Sequence, residues 1–136
     1  MKLGVGMYVR IKNKIGDCII GKIENINVYR GPMMKYCIDT QSYDYIFVSE
    51  DMIDKASHNI IDLIEVGDVI TFKEDKDVYR VLQIPSKEWE FEDFYLVKNY
   101  DGETEDIFVK YDYMKEYINS IVTKEQFESV QYKVGA

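Results

Sequence analysis

The sequence predicts a mainly β protein built of two similar small units, and three observations predict it. Residues 4–12, GVGMYVRIK, and residues 65–73, EVGDVITFK, both write Val-Gly ahead of a strand-like run. In the first run Met7, Val9 and Ile11 alternate with Tyr8, Arg10 and Lys12, the period of two that marks a half-buried strand. Five segments then recur in the same order at an offset of 58–61 residues.

Val5 to Lys12 falls on Val66 to Lys73, and Lys22 to Ile26 on Arg80 to Ile84. Tyr36-Cys37-Ile38 falls on Tyr95-Leu96-Val97, and Ile46-Phe47-Val48 with Asp51 on Ile107-Phe108-Val109 with Asp112. Asn59-Ile60-Ile61 falls on Ser120-Ile121-Val122. The competing reading is one larger β domain, since strands share an alphabet of Val, Ile and aromatics.

In the first unit the opening strand is followed by apolar Ile19, Ile23 and Ile26, a turn at Arg30-Gly31-Pro32, and strands over 35–39 and 45–49. The second unit repeats this at 68–73, 78–84, 93–98 and 105–110, with a tight-turn signal at Asp101-Gly102. Each unit then shows a short helical or 3₁₀ segment, 50–57 and 111–119, and a last strand, 59–64 and 120–122. Thr123 to Gln126 fits a capping box for a short helix to Ser129, before a closing strand at Val130 to Val134. Five short strands and a 3₁₀ turn in about 60 residues describe an SH3-like barrel. Two tandem SH3-like small β-barrels are therefore expected, residues 1–64 and 65–136, related by internal duplication.

Apolar residues make up 46% of the chain and charged residues 31%, which excludes a disordered tail. No apolar run approaches the ~20 residues of a spanning helix. MKLGVGMYVRIK has no apolar core of signal-peptide length, so a cytoplasmic location is expected. Cys18 and Cys37 are expected as two buried reduced thiols, a bridge between them being the alternative, and a single histidine, His58, is too few for a zinc site. His58 in KASHNIID reads as a turn residue, and Gly4-Val5-Gly6 precedes a strand instead of opening a phosphate-binding helix. No catalytic residue, metal or cofactor is expected.

The net charge of −8 argues against a general nucleic-acid binder. Residues 1–64 carry eight Lys/Arg and eight Asp/Glu; residues 65–136 carry nine and seventeen, so the whole excess lies in the second unit. Glu88, Glu90, Glu92 and Asp93 alternate with or follow Trp89 and Phe91, and Asp101, Glu103, Glu105 and Asp106 lie nearby, with Asp75 and Asp77 in the first hairpin. A strand-like 88–92 would present a carboxylate row on one face. Such a surface suits a basic partner and can imitate a phosphate backbone; the plainer reading is a solvated face that discourages edge pairing. In the first unit Arg10, Lys12 and Lys14 share one strand face beside Tyr8, a candidate for single-stranded nucleic acid or an ordinary solvated face.

KASHNIIDLIEVGDVI in the middle of the chain and SIVTKEQFESVQYKV at its end resemble small uncharacterised proteins encoded by phages and prophages of low-GC Gram-positive bacteria. The resemblance carries over no functional residue. It implies a mobile-element accessory gene, a setting in which non-catalytic inhibitors of host defence are common. The expected function is then to bind a basic host protein, a nucleic-acid-handling enzyme such as a defence nuclease (an anti-CRISPR-like role), through the acidic surface. The alternative is a nucleic-acid-binding module using Tyr8, Arg10, Lys12 and Lys14. Docking of the basic unit on a neighbour's acidic unit would instead give a homodimer.

Overall fold

A left-handed turn opens each half of the chain and accounts for the repeated Val-Gly. In the computed structural model, which describes residues 2–12, 18–27, 31–41, 45–74, 77–88, 90–100, 103–124 and 132–134, Gly6 and Gly67 have φ of 92° and 97°. Glycine enters that region at little cost, whereas a Cβ is crowded there. The same backbone hydrogen bonds surround both. The Gly6 amide donates to the Ile23 carbonyl at 2.9 Å, and the Gly67 amide to the Val81 carbonyl at 2.8 Å. Ile23 donates back to Met7, and Val81 to Asp68, both at 2.9 Å. The side chain after each glycine braces the turn with different chemistry. Met7 sulfur accepts from the Gly4 amide at 3.2 Å, while Asp68 Oδ2 accepts from the Glu65 amide at 2.9 Å. Asp68 is fully buried, and its Oδ1 accepts from the Lys124 amide at 3.1 Å.

The chain divides into two compact units, Met1–Leu63 with Glu125–Tyr132, and Ile64–Lys124 with Lys133–Ala136. Unit one contains β1 (Tyr8–Lys12), β2 (Cys18–Ile26), a 3₁₀ turn at Pro32–Met34, β3 (Tyr36–Asp39), β4 (Tyr45–Val48), a 3₁₀ turn at Glu50–Met52, β5 (Ile53–Ser57) and a 3₁₀ turn at Ile60–Leu63. These strands form an antiparallel sheet in the order β4-β3-β2-β1-β5. Unit two contains β6 (Val69–Phe72), β7 (Val78–Gln83), β8 (Asp93–Tyr100), β9 (Glu103–Lys110), α1 (Tyr111–Tyr117) and β10 (Ile118–Val122). Its antiparallel sheet runs β10-β6-β7-β8-β9, with the short β11 (Tyr132–Lys133) outside β10.

Both sheets have the same strand order, and their irregularities coincide. The β2–β3 register shifts between Ile23 and Asn25, and the β7–β8 register between Val81 and Gln83. The β1–β5 register shifts at Arg10/Ile11, and the β6–β10 register between Ile118 and Ser120. In unit one Met7, Val9, Ile11, Ile23, Tyr36, Ile38, Val48 and Ile53 form the core, as the alternation in β1 implies. In unit two Ile70, Phe72, Val81, Phe94, Leu96, Met114 and Ile118 are buried.

Two expectations change. Among the described residues no pairing joins the edge strands of either sheet, so the structure shows open sheets where closed barrels are expected. In unit one the edge strands have only four and five residues, and the 3₁₀ turn between them contributes Met52 to the core instead of a closing pair. The last strand of unit one is Ile53–Ser57, not 59–64, so Ile53 opposite Ile11 corresponds to Ile118 opposite Phe72. Ile60, Ile61 and Leu63 are buried in a 3₁₀ turn. That turn is held by the Ser57 hydroxyl donating to Asp62 at 2.6 Å and the Asn59 amide donating to Ser57 Oγ at 3.1 Å. The Asp101-Gly102 turn and the capping-box helix lie outside the described residues. No helix among those residues is long and apolar enough to cross a membrane.

A Cβ at Gly6 would meet nothing within 4 Å, whereas one at Gly67 would lie 3.2 Å from Lys124 Cβ. Gly6→Ala should therefore cost about 1 kcal/mol, from backbone strain alone, and Gly67→Ala about 2 kcal/mol. Urea unfolding of the two variants reads the difference, and equal losses would contradict the role given to Lys124.

Tyr132 packs edge-to-face on Tyr8 with ring centroids 6.4 Å apart. Burial first, then the neighbouring Tyr8 and Asp39, push its pKa up to about 12, against a lowering hydrogen bond with Gln41. The neutral phenol is thus favoured by the folded state. Its contribution is whole below the unfolded value near 10 and is lost as pH rises toward 12. Between those pH values wild-type stability should fall by about 2 kcal/mol more than that of Tyr132→Phe, as measured by parallel unfolding titrations.

Candidate functional site

The acidic residues of unit two divide between a tight turn and an edge strand. The Ser86 amide donates to the Phe91 carbonyl at 2.9 Å, and the Phe91 amide to the Ser86 carbonyl at 3.0 Å. Glu90 between them has φ 58°. The expected carboxylate row at 88, 90 and 92 is therefore not formed, because the chain reverses here and alternation no longer assigns faces. Glu88, Glu90 and Glu92 are exposed, and Phe91 is 46% exposed. Trp89 and Asp101 lie outside the described residues, as do Asp75 and Lys14.

Glu103, Glu105 and Asp106 are exposed on β9, the sheet's outermost strand. Part of this charge is compensated within the sheet. Asp93 stands opposite Lys110, and Lys98 opposite Glu105. Lys98 Nζ lies 2.9 Å from Asp77 Oδ2 and 3.7 Å from Glu105 Oε2, surface pairs worth at most about 1 kcal/mol each. Asp106 accepts a hydrogen bond from the Tyr95 hydroxyl, which with burial and the carboxylate's charge raises the tyrosine's pKa. Tyr95 in turn stacks on Phe108, with centroids 4.8 Å apart, and Phe108 is 65% exposed.

The basic face expected on β1 is not assembled. Tyr8 is half-buried and Lys12 exposed, but Arg10 is fully buried. Its Nε donates to Cys18 Sγ at 3.1 Å and its Nη1 to the Leu63 carbonyl at 3.1 Å. A period of two turns Arg10 away from the core as expected. The Leu63 carbonyl, from the 3₁₀ turn that ends unit one, then meets it on that side. His58 is exposed, and the neighbouring Ser57 hydroxyl is directed to Asp62. Cys18 and Cys37 are not joined in a disulfide; Cys18 is buried as expected, whereas Cys37 is only half-buried.

A feature that sequence reasoning passes over is a groove of about 780 Å³ between β9 and α1 in unit two. Phe72, at the end of β6, meets Tyr79 and Tyr113 edge-to-face, with centroids 5.2 and 5.7 Å apart and both pairs of planes at 67°. Tyr113 also lies against Tyr117, 4.5 Å away one helical turn on. Phe72 is buried while Tyr113 is 50% exposed, so one ring forms the floor and the other a wall. Ile107, Phe108 and Val109 of β9 line the strand side, and Glu74, Asp112, Glu116 and Lys110 complete the lining. The Tyr113/Tyr117 spacing of four was the signal available in sequence; the rings that complete the groove come from β6 and β7.

Fold and site define a mainly β protein of two antiparallel sheets, the second carrying an aromatic groove lined also by three carboxylates. No group of three or more His, Cys, Asp or Glu among the described residues is placed to hold a metal ion. Comparison with protein-family models, with curated proteins and with solved structures finds no match to this chain.

Removing the buried guanidinium strands the Leu63 carbonyl and leaves a cavity, so Arg10→Ala should lower stability by about 3 kcal/mol. Arg10→Lys, which keeps charge but not the forked donors, should fall between. Chemical unfolding measures both, and a neutral Arg10→Ala would contradict the part given to this side chain.

Proposed function

We propose that the chain is a non-catalytic binding protein of two SH3-like units, related by internal duplication, whose acidic second unit engages a basic protein. The shared strand order, the two opening turns and the coincident register shifts support the duplication. The functional reading rests on one juxtaposition: Phe91, Phe108 and Tyr113 are exposed on the same unit that holds the chain's excess carboxylates. Carboxylates speed encounter with a basic surface and set orientation, while exposed aromatic rings supply the area whose burial gives affinity. In the phage or prophage setting that the resemblance implies, the partner is a host nucleic-acid-handling enzyme in the bacterial cytoplasm. Rows of Lys and Arg that meet phosphate in such an enzyme would meet carboxylates here.

The net charge and the burial of Arg10 speak against nucleic acid as the ligand. The test is affinity capture from bacterial lysate at physiological salt, with Glu88→Lys/Glu90→Lys/Glu92→Lys beside wild type and Glu50→Lys in unit one as control. A basic protein should be retained by wild type and the control, and reduced at least about tenfold by the triple reversal. An unchanged set of captured proteins would sink the reading.

A further inference from the structure

Building on that reading of unit two, we infer that its groove seats an arginine or lysine side chain from an extended segment of the partner, and that this segment pairs with the outer edge of β9. Two independent features meet there. The first is the edge itself. β9 is eight residues long, pairs in unbroken register with β8 alone among the described residues, and ends the sheet. Long regular edges invite another strand, and proteins guard them with proline, bulges or charge. β9 has no proline and no bulge, and its guard is of one sign until its last residue: Glu103, Glu105 and Asp106, then Lys110. Carboxylates alone repel acidic segments and attract basic ones, so this edge is selective rather than closed.

The second feature is the groove beside that edge. Its aromatic walls attract cations through the faces of their rings, most strongly where water is excluded. Three carboxylates, Glu74, Asp112 and Glu116, and one ammonium, Lys110, line the groove. An anion is repelled by that balance, and a neutral apolar ligand would desolvate the carboxylates without compensation. A cation satisfies both the rings and the carboxylates, and the volume lies within the range of ligand sites, about 300–1,000 Å³. Strand faces alternate, so residues of an added strand that stand beside Ile107 or Val109 send their side chains to the face those residues occupy. Both line the groove. Strand pairing and insertion of the basic side chain are thus one event.

The experiment titrates the ¹⁵N-labelled full chain with the peptide acetyl-Thr-Arg-Thr-Arg-Thr-Arg-Thr-Arg-amide and with its counterpart carrying citrulline, the neutral isostere, at each arginine. The arginine peptide should shift amide signals along Glu103–Lys110 and at Tyr113 and slow amide exchange in β9; the citrulline peptide should not bind. Tyr113→Ala should weaken binding about tenfold. Asp112→Lys with Glu116→Lys, which leaves the rings in place, should do the same in a chain whose spectrum shows an intact fold. Shifts confined to the turn at residues 86–91 and untouched by these variants would overturn the inference while leaving an acidic binding unit standing. Equal binding of the citrulline peptide, or no binding of the arginine peptide, would also overturn it. So would self-association that Tyr113→Ala abolishes, which would make a second copy the occupant.

Discussion

A chain that must turn through left-handed backbone and enter a strand two residues later has room for glycine and little else, and both sheets depend on that arrangement. The amide of Gly6 is committed to the Ile23 carbonyl, seventeen residues on, and that of Gly67 to Val81, fourteen residues on. Each bond ties the beginning of a unit to the point where its second strand shifts register. A bulge bends its strand, and in unit one residues of the first four strands share one core. Turn, bulge and core are therefore one construction. The two versions differ in loop length by three residues without disturbing it.

Much of this was legible in the sequence because it is local. Met7, Val9 and Ile11 alternate, and they are buried; the central strands of both units stand close to where their apolar runs place them. The misplaced element was β5. Ile53 is followed by Asp, Lys, Ala and Ser, a weak strand spelling, while Ile60-Ile61-Asp62-Leu63 reads as a good one. Periodicity cannot separate a short buried strand from a single 3₁₀ turn, and here polar contacts among Ser57, Asn59 and Asp62 decide for the turn. Whether the sheets close was not legible, since it depends on edges far apart in sequence.

The site was legible as charge and not as shape. Counting acids located the excess in unit two, yet Lys98 and Lys110 each offset part of it across strands, and a count does not show those pairings. Arg10 was misjudged for the same reason. The carbonyl that receives it lies 53 residues away, and a strand's period says which side a residue takes but not what lies over that side. The aromatic groove draws its floor from β6 and β7 and its wall from α1, so only tertiary contact assembles it.

Asp68, which follows Gly67 as Met7 follows Gly6, has a consequence for where the second unit ends. Met7 braces its turn within four residues, so the opening of unit one is self-sufficient. Asp68 reaches forward to the amide of Lys124, 56 residues on and beyond the last residue of β10. A fragment trimmed at Val122 would keep every strand from β6 to β10 and still leave a buried carboxylate without that donor. Neither unit can be cut at its last sheet strand: unit one needs the buried 3₁₀ turn at Ile60–Leu63, whose last carbonyl holds Arg10, and unit two needs the two residues beyond β10 that close the clasp on Asp68.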